Sequence, residues 1–163
     1  LELMFDWLAM DHVQVYGSLG LLRATYQDFE SFSHVDADPE NNVAVDLDGR
    51  EQAHAPSYQF SLGVEVALTG QMSAALEMEG KQQFYLSPRH NARSNRYELF
   101  NARLEYRVQQ WDFLLWGRNL TDRDVIVRGF GGFGNDPRNF YQTEPYYQYG
   151  EPRIVGVTAK YRF

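Results

Sequence analysis

The stretch that decides the fold is "IVGVTAKYRF", Ile154–Phe163. Laid out as an extended chain, Val155, Val157, Ala159, Tyr161 and Phe163 fall on one side. Ile154, Gly156, Thr158, Lys160 and Arg162 fall on the other. This is the two-residue period of a β-strand, with one greasy face and one wet face. Domain ends usually fray in polar residues, whereas this alternation runs through Phe163. What the apolar face touches is the question the rest of the chain must answer.

The same period recurs along the chain. Leu1, Leu3, Phe5, Trp7 and Ala9 oppose Glu2 and Asp6. A second strand starts at Val13, sets Val13, Val15, Leu19 and Leu21 against Gln14, Tyr16 and Ser18, and is expected to run to about Phe29. Tyr58, Phe60, Leu62, Val64, Val66 and Leu68 alternate with Gln59, Ser61, Gly63 and Glu65. Met72, Ala74, Leu76 and Met78 oppose Ser73, Glu77, Glu79 and Lys81. Phe100, Ala102, Leu104, Tyr106 and Val108 oppose Asn101, Arg103, Glu105 and Arg107. "WDFLLWGRNL" opens a sixth strand, expected to extend toward Val127. With the closing segment, the pattern predicts seven strands.

The connections alternate in length. "MDH", "TGQ" and "VQQW" hold tight turns, while the polar stretch after Phe29, "SPRHNARSN" and the loop from about Gly129 to Tyr149 are longer. Short turns at one end and long loops at the other are the pattern of outer-membrane barrels. The apolar rows have the length that a tilted strand of about 9–11 residues needs to cross hydrocarbon. Trp7, Tyr58, Tyr106, Trp111 and Tyr161 lie near strand ends, where an interfacial girdle belongs. The expected fold is therefore all-β: an antiparallel up-and-down transmembrane β-barrel segment of about seven strands. A soluble antiparallel sheet with these rings in its core is the competing reading.

Composition is compatible with this. The 163 residues suit one domain or part of a larger one. A net charge of −7 argues against a nucleic-acid partner. The chain has no cysteine, so no disulfide framework or thiolate metal site is available. Mean hydropathy is −0.52, and no apolar run approaches the roughly 18 residues of a membrane helix. A barrel strand that alternates its faces averages to such a value. "LELMFDWLAM" shows no basic leader or small-residue cleavage site and opens within a strand pattern. Seven is an odd number where single-chain bacterial barrels use even ones, and open edges are not tolerated in lipid. The expectation is a fragment of a larger barrel.

Particular residues carry a resemblance. "YELFNARLEYRVQQWDFLLWGRNLTDRDVIVRGF", "FGNDPRNFY" and "YGEPRIVGVTAKYRF" together resemble the C-terminal part of the β-barrel in TonB-dependent outer-membrane receptors of the siderophore-receptor kind. The likeness is best in the C-terminal two thirds. Toward the N-terminus it rests on strand pattern and on "DLDGREQAHAPSYQFSLG". The resemblance implies a barrel of about 22 strands with a plugged lumen, of which residues 1–163 would be the C-terminal portion without the plug. It implies a cell outer membrane location and active uptake of a scarce ligand, most often a ferric siderophore, powered by the TonB complex through the absent plug region. Outer-membrane lipid, lipopolysaccharide and the barrel assembly machinery are the implied partners. Val157, Tyr161 and Phe163 would form the assembly signal. A passive porin-like or adhesin barrel is the alternative within membranes, and a soluble β-sheet binding domain is the alternative outside them.

Candidate ligand contacts lie on the two later outer loops. Arg89, His90, Arg93 and Arg96 belong to one; Arg128, Arg138, Tyr141, Tyr146, Tyr147 and Tyr149 belong to the other. Arginine holds anionic catecholate or carboxylate groups through charge-assisted bonds, and tyrosine adds broad contact area. The competing role for these arginines is pairing with lipopolysaccharide phosphates or local carboxylates. Glu77, Glu79, Arg103, Glu105, Arg107, Lys160 and Arg162 share the polar parity and are expected to form an ion-pair network on the inner wall. "DADPENN" lacks the glycine and distal glutamate of a calcium loop, and the four histidines show no ligand spacing. "GFGGFGNDP" is not followed by GK[ST]. No cofactor, metal or catalytic constellation is expected, and the chain is not read as an enzyme.

Overall fold

The computed structural model describes residues 1–131, 136–141 and 144–163. Its elements are β1 (Glu2–Met10), β2 (Val13–Leu21), β3 (Glu30–Ser31), β4 (Val45–Asp46), β5 (Tyr58–Thr69), β6 (Met72–Lys81), β7 (Tyr97–Val108), β8 (Trp111–Arg118), β9 (Ile126–Gly131), a 3-10 turn (Pro137–Asn139), β10 (Pro145–Tyr149) and β11 (Ile154–Tyr161). Seven of these strands form one antiparallel sheet in the order β1-β2-β5-β6-β7-β8-β11. β3 pairs with β4 and β9 with β10 as separate two-stranded ribbons. The expected all-β antiparallel segment is present.

Register keeps the two faces continuous across all seven strands. Trp7 pairs with Val15, Val15 with Val64, Val64 with Leu76 and Leu76 with Ala102. Leu104 pairs with Leu115, and Leu115 with Val157. A slip of one residue anywhere would move a whole strand's apolar set to the polar face. No other element packs over that set, and Leu62, Leu76, Leu115 and Val157 are 43–73% exposed. Near the short turns, the ring of Trp111 lies 5.0 Å from Tyr161 and 5.7 Å from Phe113, and Tyr161 lies 5.2 Å from Phe163. These rings make an aromatic belt at that end of the apolar face.

Burial lies away from the apolar face: Ala75 on β6 and Tyr97 on β7 are buried on the opposite parity. Leu47, Phe84, Leu86 and Val125 are among the buried apolar side chains, and all belong to the long connections. The short turns at 11–12, 70–71 and 109–110 leave the opposite end of the sheet bare.

Three strand limits differ from the sequence reading. β2 ends at Leu21 rather than near Phe29, because the chain beyond it pairs with the next connection, Tyr26 N–H bonding the carbonyl of Arg50 (2.9 Å), and Tyr26 stacks on Phe29 at 4.8 Å. β7 begins three residues earlier, at Tyr97. β8 stops at Arg118 instead of continuing toward Val127, because Asn119 takes φ 46°, a left-handed conformation that ends the strand. In place of a loop from about Gly129 to Tyr149, β9 and β10 form a hairpin that already begins at Ile126.

Candidate functional site

The polar face carries a chain of ion pairs. Arg103 on β7 reaches Glu65 on β5 at 2.7 Å, Glu77 on β6 at 3.1 Å and Glu105 at 3.7 Å. Tyr16 on β2 donates its hydroxyl to Glu77. The line continues from Glu105 to Arg107 (3.1 Å), then to Asp112 (3.9 Å) and from there to Arg162. Alternation puts these groups on one surface, and the register makes the pairs adjacent across strands. Of the expected network, Glu77, Arg103, Glu105, Arg107 and Arg162 take part. Glu79 and Lys160 have no ion pair among the described residues.

Two aromatic side chains lie flat on this face over glycines. A Cβ at Gly63 would stand 2.3 Å from the Tyr16 ring, and one at Gly156 would stand 2.5 Å from Trp116. Toward the long connections the face opens into a groove of about 380 Å³ lined by Glu2, Ser18, Gln59, Glu79, Lys81 and Tyr97. A second groove of about 430 Å³ is lined by Glu79, Tyr97, Arg118, Asn119 and Glu151.

The long connections interlock at the same end. Val35 N–H bonds the carbonyl of Arg89 (2.7 Å) and His54 N–H bonds that of Tyr85 (2.9 Å). Arg50 donates to the carbonyls of Ser87 (2.9 Å) and His90 (2.7 Å). The guanidinium carbons of Arg50 and Arg93 each stand 3.9 Å from the centroid of the Tyr85 ring. Two planar groups cannot share one ring face at that distance, so Tyr85 is sandwiched between them. Burial pushes the Arg50 pKa below the usual arginine value. His34 is buried, and its Nδ1 accepts from Asp36 N–H at 3.1 Å.

The candidate ligand residues divide. His90 is 4% exposed; its Nε2 faces the carbonyl of Phe130 at 3.2 Å, and its Nδ1 accepts from Ala92 N–H. It braces the hairpin β9–β10 and presents no ring to solvent. Arg93 stacks on Tyr85 and stands 4.0 Å from Glu51. Arg96 pairs with Glu98 at 2.9 Å. Arg138 holds Asp136 through both its Nε and Nη2, keeping that carboxyl below the usual range. Arg89 and Arg128 are exposed, with no ion pair among the described residues. Tyr141, Tyr146, Tyr147 and Tyr149 are exposed, and Tyr146 stacks with Phe130 at 6.1 Å. Val157, Tyr161 and Phe163 lie on the apolar face.

The acidic stretch serves its own turn. Asp38 accepts from the backbone N–H (3.2 Å) and side-chain amide (2.6 Å) of Asn41, and that side-chain bond lowers its pKa. In "GFGGFGNDP", Gly129–Gly131 ends β9 and Asp136 caps the 3-10 turn; residues 132–135 lie outside the described residues.

No protein-family model matches the chain. Solved structures do. The siderophore receptor PiuA from Acinetobacter baumannii matches 97% of this chain with a TM-score of 0.73 at 15% identity, over 20% of its own length. The ferric yersiniabactin uptake receptor FyuA from Yersinia pestis matches 99%, with a TM-score of 0.73 and 16% identity, over 23% of its length. The chain has the fold of a siderophore-receptor segment. The ferric-catecholate import receptor Fiu from E. coli K12, in its closed form, agrees with a TM-score of 0.67 at 21% identity, covering 99% of this chain and 20% of that one. The chain thus spans about a fifth of the length of these siderophore receptors, which are transport receptors and not enzymes.

Sequence reasoning missed several residues that organise this segment. Arg50 and Tyr85 are far apart in sequence and gave no local signal. Asn119 stands within "GRNLTDRD", where no local pattern marks it.

Proposed function

We propose that the chain is the C-terminal wall of a TonB-dependent outer-membrane receptor, with its apolar face on lipid and its polar face lining the lumen. One observation carries this reading: a continuous apolar row across seven strands has no other element packed on it, while the buried apolar side chains lie in the long connections (Leu47, Phe84, Leu86, Val125) or on the polar parity of the sheet (Ala75, Tyr97). In water such a row would drive association; in a bilayer it is the stable arrangement. The free edges of β1 and β11 then pair with further strands of a larger barrel, which removes unpaired backbone from lipid.

In this reading the long connections face outward, near lipopolysaccharide, and capture a small anionic ligand such as a ferric siderophore. Arg89 and Arg128 supply uncommitted cations, while Tyr141, Tyr146, Tyr147 and Tyr149 supply ring surface. Arg93 and Arg138 contribute by exchanging their present partners for the ligand. His90 acts as a brace. The polar-face ion pairs form the wall against a plug that lies outside this chain, through which TonB supplies energy. Val157, Tyr161 and Phe163 present the signal to the barrel assembly machinery.

Uptake of radiolabelled iron(III) siderophores by cells producing the full receptor tests this. Uptake is expected to stop when TonB is deleted. Passage that persists without TonB would assign the barrel to passive diffusion instead.

A further inference from the structure

The chain connecting β8 to β11 leaves the sheet, forms the hairpin β9–β10 and returns. Both of its feet meet at one residue. Asn119 is 3% exposed and sits at φ 46°. Its backbone N–H donates to the Asn101 side chain at 3.0 Å. Its Nδ2 donates to the carbonyls of Arg123 (2.9 Å) and Glu151 (3.1 Å), and its Oδ1 accepts from Arg123 N–H (2.9 Å). The outgoing foot is residues 119–125 and the returning foot is residues 150–153, so the contact with Glu151 joins one to the other.

Neighbouring contacts repeat the pairing. Arg118 bonds Glu151 at 2.8 Å, and Asp122 accepts from Arg153 N–H at 3.0 Å. Gly150 N–H bonds the carbonyl of Val125 at 2.8 Å. Asn95 ties the foot to the preceding loop by donating to the carbonyl of Asp124 (2.7 Å) and accepting from Ile126 N–H (2.9 Å). These bonds join "RNLTDRD" to "GEPR" across the root of the hairpin.

The chemistry at position 119 is narrow. The residue must tolerate a left-handed backbone, which asparagine does better than most residues. It must also donate two hydrogen bonds and accept one within a buried space. Aspartate cannot donate and would set a buried carboxylate against two carbonyls. Glycine keeps the backbone and loses every side-chain bond.

We propose that Asn119 is a positioning residue that sets the direction of the aromatic hairpin relative to the sheet while touching no ligand itself. The hairpin has a second support at its shoulder, where Leu86 lies against Gly129 and His90 meets Phe130. Direction is fixed by both supports. Releasing the root leaves a hairpin that pivots on the shoulder. The consequence for binding rests on the ligand-capture reading above; the geometric claim does not.

This segment has no cysteine, and any cysteine elsewhere in the full polypeptide is first replaced by serine so that labelling is specific. In the full polypeptide carrying this segment, spin labels are placed at Tyr147→Cys on β10 and Gln71→Cys in a short turn, and the distance between them is measured by pulsed electron resonance. The parent protein is expected to give one narrow distribution. Asn119→Gly is expected to broaden and shift it, with barrel folding unchanged by gel mobility, and Glu151→Ala, which keeps the Glu151 carbonyl, is expected to leave it narrow. An unchanged distribution for a folded Asn119→Gly protein overturns the proposal. So does failure of both Asn119→Gly and Asn119→Ala to fold, since Asn119 would then be a requirement for folding itself. Affinity for the ferric siderophore is expected to fall about tenfold in the glycine variant, the order found when remote packing modulates a site. A broadened hairpin with unchanged affinity would keep the positioning claim and sink the ligand-capture reading.

Discussion

The seven-stranded sheet and the layer of long connections at its end handle apolar side chains in opposite ways. In the sheet, Leu62, Leu76 and Leu115 stand in a row with no protein over them. In the connections, Leu47, Phe84 and Leu86 are shut away behind backbone hydrogen bonds and the Arg50–Tyr85–Arg93 stack. A water-soluble β-protein does the reverse, with its core between sheets and its loops solvated. The membrane reading proposed above accounts for this inversion: acyl chains would meet the apolar face of the sheet while water surrounds the connections, and stability would come from hydrocarbon contact in one region and internal packing in the other.

The sharpest way to break this comparison is to empty the core of the connections. Leu86→Ala removes its most buried side chain and is expected to cost about 2–5 kcal/mol. Hydrogen exchange is expected to show loss of protection at residues 22–57 and 82–96, with strand amides unaffected. Loss of strand protection in step would join the two regions into one cooperative unit.

Next comes a charge on the row. Leu62→Arg on β5 is expected to cost about 2–4 kcal/mol when unfolding is followed in lipid vesicles. Its neighbour Ser61→Arg, on the polar face, is expected to cost far less. Equal costs would mean that the two faces meet the same surroundings.

A smaller effect is expected at the polar-face network. Arg103→Met leaves Glu65 and Glu77 without their shared cation. The side chain of Arg103 is 34% exposed, so water screens the repulsion and the expected loss is about 1 kcal/mol. Adding Glu77→Gln should recover part of it in the same titration; a further loss would show that Glu77 matters mainly through Tyr16.

The smallest expected effect is a pH response at the 3-10 turn. Arg138 lowers the Asp136 pKa, through its side chain and then its backbone N–H. A depressed carboxyl stabilises the folded form above its ordinary value, and this contribution is lost as pH falls through the lowered value. Exchange at the Arg138 amide is therefore expected to lose protection below about pH 4. Protection that rises on acidification would contradict the assigned pairing.

The sheet was legible because its information is local. A period of two gives each residue's face, so the polar wall from Glu77 to Arg162 and the aromatic belt around Trp111 followed from counting. The connections were not legible, because their contacts span long separations: Arg50 meets Ser87 and His90, and Val35 meets Arg89. No pattern in "RHNARSN" announces that His90 points inward while Arg89 points outward. The end of β8 was missed for a related reason. In "WGRNLTDRDVIV" apolar residues return at Val125–Val127 after a polar run that a wet-faced strand also tolerates, and only the contacts of the Asn119 side chain with Arg123 and Glu151 show that the strand must stop.

The central claim is that one face of the sheet meets acyl chains while the other does not, and the native tryptophans test it directly. Trp7 and Trp111 lie on the apolar face and Trp116 on the polar face. Single-tryptophan versions of the full receptor, reconstituted in vesicles of lipids brominated on their acyl chains, report which rings touch hydrocarbon. The expected result is strong quenching of Trp7 and Trp111 and none of Trp116. Quenching of Trp116 equal to that of the other two, or no quenching of any, would contradict the account.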